Sequence, residues 1–93
     1  SDLQSAESSL QQAVAADARK FQPVLLHNAQ NKVADAKNLI EQEQYTEAER
    51  LLEQASVDAQ LAGARADTAK ARQAVEEINQ NIESMRNQIN QDQ

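Results

Sequence analysis

One proline, Pro23, and one glycine, Gly63, are the only strong structure breakers in the 93-residue chain. Those two residue types make most tight turns, so a chain this poor in them has little means of building the hairpins of a sheet protein. Its apolar residues instead recur at three- and four-residue intervals, the signature of one helix face. Leu3, Ala6, Leu10 and Ala13, with Val14 adjoining, form a first stripe. Ser1 or Asp2 suits its start, and Arg19 and Lys20 suit the negative end of its dipole, which predicts a helix over about residues 2–19.

Pro23 ends that pattern, because it disfavours helical geometry at Gln22 and fits the first turn of a new helix. Leu26, Ala29, Val33, Ala36 and Ile40 then make a second stripe, widened by Leu25 and Leu39, predicting a helix over about 23–42. In "EQEQYTEAE", Thr46 and Glu49 match a capping box with Tyr45 just outside as a staple. No glycine occupies the left-handed position that such a turn often uses. From Tyr45 onward nothing stops a third helix, predicted over about 45–90. The expected architecture is all-α: a single domain over 1–93, an antiparallel three-helix up-down-up bundle with a long extended third helix.

That third helix carries two stripes. Ala48, Leu52, Ala55, Ala59 and Ala62, continued by Ala66 and Ala69, are small, and small residues let a neighbouring helix come close. They are the expected bundle-packing residues, with Gly63 beside them at a close approach. Leu61, Ala64, Thr68, Ala71, Val75, Ile78, Ile82, Met85 and Ile89 form the other stripe, a heptad with Leu61, Thr68, Val75, Ile82 and Ile89 at a and the rest at d. The short helices cannot reach past about residue 65, so residues 66–90 are expected to project as a coiled-coil-like arm. Thr68, Ala71, Val75, Ile78, Ile82, Met85 and Ile89 are the expected interface, and a second copy the expected partner. Arg65, Arg72 and Arg86 fall at e and Asp67 at g, so a parallel pair lets Asp67 meet Arg72. That charge pattern favours parallel pairing, and the orientation stays open.

Composition excludes several classes. Formal net charge is −6, against nucleic-acid binding and against docking to an anionic membrane surface. There is no cysteine for thiolate chemistry, and no apolar run approaches a transmembrane span. His27 has no partner at metal-ligand or acid-base spacing and reads as an exposed residue of the second helix. Glu41, Glu43, Glu47 and Glu49 lack the loop spacing of a calcium site and match the positive end of a helix dipole. Arg65, Lys70 and Arg72 make a solvated basic patch without aromatic stacking platforms. No catalytic, cofactor or metal residues are expected, and the chain is not expected to be an enzyme.

The stretch "LLHNAQNKVADAKNLIEQEQYTEAERLLEQASVDAQLAGARA", beginning at Leu25, resembles a bacterial envelope domain of unknown function. That family is found in small outer-membrane lipoproteins and ahead of OmpA-like peptidoglycan-binding domains. The resemblance rests on Pro23, Ala29, Val33, Ala36, Tyr45, Ala48, Leu52, Gln54, Ala55, Asp58, Ala59, Leu61 and Ala62. Glu43 and Gln44 depart from the Gly or Asp that family members tend to carry before the Tyr. The resemblance implies a place on the periplasmic side of the cell envelope, with lipid anchoring to the outer membrane and an envelope protein as a further partner. It supplies no catalytic residues. The function expected is thus a non-catalytic structural or interaction module of that envelope, self-associating through the C-terminal seam. The alternative is a binding protein whose seam takes a lipid, a peptide or a small apolar ligand.

Overall fold

Four helices, where three are predicted, make up the described residues 1–92 of the computed structural model: α1 (Asp2–Ala15), α2 (Ala18–Phe21), α3 (Pro23–Glu41) and α4 (Tyr45–Asp92). The chain is all-α, and Ser1 caps α1 by accepting from the Gln4 amide at 3.3 Å. The predicted first helix over 2–19 is interrupted. Asp17 takes a left-handed conformation, φ 66°, and its amide donates back to the Val14 carbonyl at 3.0 Å. Aspartate tolerates that geometry better than most residues. The break starts α2, which buries Ala18 and half-buries Phe21, while Arg19 and Lys20 end up in α2 and not at the end of α1. Gln22 is non-helical, as the following proline demands, and Pro23 opens α3.

The second turn uses no glycine, yet it closes as a Schellman motif. Glu43 is left-handed at φ 62°, its amide donates to Ile40 O at 3.0 Å, and the Gln44 amide donates to Leu39 O at 2.8 Å. The Gln44 carbonyl then accepts from Ala48, so Gln44 stands at the entrance to α4. Tyr45 and Thr46 are already helical. The predicted capping box is therefore misplaced: Thr46 lies inside the first turn, because the Schellman closure hands the chain to α4 two residues earlier.

α4 is the spine on which both α1 and α3 pack, and those two touch each other less. Two apolar clusters fill the space between. One joins Ala6, Val33, Ala36, Ala48, Leu52 and Ala55; the other joins Ala13, Ala18, Leu26, Ala29, Ala59, Ala62 and Ala66. The residues with no exposure at all are alanines: Ala6, Ala18, Ala29, Ala36, Ala55, Ala59, Ala62 and Ala66. Leu26, Val33 and Leu52 add most of the bulk. Helix separation follows the side chains at the contact, so an alanine seam means close approach. Three ion pairs cross between elements: Glu7–Lys37 (α1 to α3) at 3.1 Å, Lys32–Asp58 (α3 to α4) at 2.7 Å and Asp17–Lys70 (the α1–α2 turn to α4) at 2.6 Å. All are partly exposed and each contributes little alone.

The last buried residue is Ala66, Ala69 is half-buried, and every residue from Ala71 to Asp92 is exposed. The molecule measures 75 × 17 × 14 Å, with a radius of gyration of 20.1 Å. A compact chain of this length would have a radius near ~12 Å. The excess is the free half of α4.

Candidate functional site

Where the apolar surface lies separates the two ends of the molecule. The large exposed hydrophobics are Val24, Tyr45, Val57, Leu61, Val75, Ile78, Ile82, Met85 and Ile89. All but Val24 and Tyr45 fall on one heptad line of α4. Leu61, Val75, Ile82 and Ile89 occupy a, and Val57, Ile78 and Met85 occupy d. Ala64, Thr68 and Ala71 fill the intervening positions and are exposed as well. The line is about 48 Å long at the usual helical rise.

Its position around the helix is set by the same periodicity. At 3.6 residues per turn, Leu61, Ala64 and Thr68 lie about 160° from the buried stripe of Ala55, Ala59, Ala62 and Ala66. The seam therefore runs down the face of α4 opposite α1 and α3. It begins beside the body and continues unobstructed along the arm. Thr68 does not interrupt it: its Oγ1 donates to the Ala64 carbonyl at 3.1 Å, which satisfies the hydroxyl. Val57 belongs to this line although sequence reading begins the seam at Leu61. Its place one heptad before Ala64 was the available signal.

The other predicted residues scatter. Ala48, Leu52, Ala55, Ala59 and Ala62 are buried against α1 and α3. Pro23 sits at the start of α3, far along the chain from Tyr45 and Glu49 at the foot of α4. Tyr45 is 60% exposed and borders an open hollow of about 380 Å³ together with Leu3, Ile40 and Leu52. Glu49 lies on its rim. A hydrogen bond with the Asp2 carboxyl, and then its negative charge, push Glu49 above the usual carboxylate range. At the other end of the body the reverse holds. Lys70 donates to Asp17, holding that carboxyl below its ordinary value and lifting Lys70 above its own. The predicted solvated patch of Arg65, Lys70 and Arg72 is thus partly used, since Lys70 fastens the α1–α2 turn to α4.

His27 is exposed on α3. Among the described residues, no group of three or more His, Cys, Asp or Glu is placed to hold a metal ion. No described helix is long and apolar enough to cross a membrane. Gly63 faces Ala13 of α1, and a methyl built on it would stand 3.5 Å from Ala13 Cα, an ordinary contact. The close approach expected at Gly63 is real, yet it leaves room for a methyl.

Residues 1–78 match a family described as Domain of unknown function (DUF4398), and the chain belongs to it. Comparison with curated proteins and comparison with solved structures each return no match.

Proposed function

We propose that this DUF4398 domain is a non-catalytic assembly module that pairs with a second copy of itself through the α4 seam. The observation that carries this reading is the coincidence of two independent patterns. From Val57 to Ile89 every large exposed hydrophobic side chain of α4 falls on a heptad position, each between 39% and 62% exposed. Random surface leucines and isoleucines are common and mean little; a continuous line of them is an interaction surface.

The energetics point the same way. Burying the exposed remainder of one such side chain is worth about 1 kcal/mol, and two copies bring fourteen of them together. That sum is comparable with the roughly 4–15 kcal/mol lost when two molecules become one. The heptad period lags a straight helix by about 20° per repeat, so paired arms would wind with a left-handed supercoil.

In this reading the chain path is up-down-up. α1 rises, α3 descends, and α4 rises again past both. The pairings along it support that path: Leu3 lies near Ile40 and Leu52, Ala13 near Gly63, and Asp17 near Lys70. The hairpin braces one end of a rod, and residues 66–90 are the coupling arm. A place on the periplasmic side of a bacterial cell envelope, with lipid anchoring and an envelope protein as a further partner, rests on the sequence resemblance around Tyr45.

Sedimentation equilibrium of the purified chain tests the pairing. A dimer is expected at micromolar concentration, and Ile82→Asp should weaken it by a hundredfold or more while leaving the helicity of the body intact. A monomer at high micromolar concentration overturns the reading. A stoichiometric lipid recovered from such a monomer would transfer the seam to ligand binding.

A further inference from the structure

We infer that the two copies pair antiparallel, with full overlap, so that each arm lies along the other copy's body. This rests on the self-association proposed above and concerns the same seam. Bulk is distributed unevenly along the seam. Its middle is small (Ala64, Thr68, Ala71) and its far half is large (Val75, Ile78, Ile82, Met85, Ile89). A parallel in-register pair stacks each residue on its own copy. Three consecutive layers would then hold only small groups, followed by five of large ones. Two helices cannot be close at one level and wide a turn later without voids or strain.

Turning one copy around a two-fold axis at Gln73 removes that conflict. The layers become Val57 with Ile89, Leu61 with Met85, Ala64 with Ile82, Thr68 with Ile78, and Ala71 with Val75. Each joins an a position to a d position, as antiparallel seams require. Every small residue faces a large one, so no layer is left with small groups alone, and the abrupt step of the parallel pair disappears. The seam is complementary to itself read backwards.

Surface charge is the weaker consideration. Parallel pairing gains Asp67 with Arg72, but these are exposed groups whose pairing contributes little. Asp67 already adds its charge to the field that holds Lys70. Antiparallel pairing brings the two Arg72 together at the axis, each with Glu76 one turn further along its own helix. The geometry leaves room for the partner. The seam lies opposite the hairpin, so a neighbouring arm can run beside α4 from Ala71 back to Val57 without meeting α1 or α3. The two bodies then sit at opposite ends of one rod.

The absence of cysteine makes cross-linking a direct test. Val57→Cys and Ile89→Cys each replace an exposed residue, so neither should disturb the fold. Under oxidation a mixture of the two variants should link covalently, while each variant alone should not. Linking of Ile89→Cys to itself overturns the inference in favour of parallel pairing. No link in any combination, from a chain that sediments as a dimer, overturns it in favour of another register. A chain that sediments as a monomer overturns the self-association itself. Arg72→Gln gives an independent sign: dimer affinity should rise in the antiparallel pair, and a fall counts against it.

Discussion

The two halves of α4 use side-chain size in opposite ways. Below Ala66 the face that matters is made of alanine and turned inward, toward α1 and α3. Beyond Ala69 the face that matters is made of valine, isoleucine and methionine and turned outward, to solvent. The inward face needs proximity: two helices laid on a third can bury backbone and methyl groups only if nothing longer holds them apart. In the proposed pair the outward face needs bulk, because two lone helices have no third element to close the space between them. Small groups thus hold the body together, and large ones stand exposed along the arm.

Breaking the body should leave the arm untouched, and the reverse. The largest effect belongs to Leu52→Ala. Leu52 is one of three sizeable buried side chains, and its loss should destabilise the fold by about 3 kcal/mol. Chemical denaturation would read this as a lower midpoint, with association of the remaining folded chain unaltered. Ile78→Ala should do the opposite. At concentrations where the chain is monomeric its melting should be unchanged, while sedimentation shows association weakened at least tenfold, since both copies lose a seam residue. Gly63→Ala should raise stability by about 1 kcal/mol, because the site is helical and has room for the methyl. A loss there would show that α1 lies closer to α4 than the structure describes.

The smallest effect is a pH dependence confined to the body. Glu49 is raised from its ordinary 4.5, so the folded state holds that proton more tightly than the unfolded chain. Its unfavourable contribution at neutral pH should therefore fade as pH falls through the raised value toward 4.5, a slight gain in stability. Asp17 is lowered from 3.8, so its favourable contribution is complete above 3.8 and is lost as pH falls through the lowered value. Thermal melts from pH 7 to pH 2.5 should show a shallow rise and then a drop. Glu49→Gln should remove the rise alone.

Much of this division was legible in the residues. The alternation of four- and three-residue steps from Ala48 to Ala66 marks a buried face whatever the neighbours are, and the heptad from Leu61 to Ile89 marks a second apolar face, which the structure leaves exposed. Their angular separation follows from the helical period and nothing else. What stayed hidden were the two places where the backbone turns left-handed, at Asp17 and Glu43. Local sequence favours neither strongly. Asp17 reads as part of a continuing helix, and only the fit of Ala18 and Phe21 against the body makes the break worthwhile. Glu43 stands where glycine is the common choice, and its geometry is enforced by the hydrogen bonds to Leu39 and Ile40. The capping box misled for the same reason: the Thr46-to-Glu49 pattern is sound chemistry, but the preceding turn had already delivered the chain into α4.

The unbroken run of α4 from body to arm has one more result. Starting a helix is the costly step and lengthening it is not. Packing against α1 and α3 holds the first half of α4 in helical form, so the second half grows from a seed that already exists. In the proposed pair, an incoming copy would then meet a ruler laid out straight, not a coil it must first wind, and little freedom would remain to be surrendered on contact.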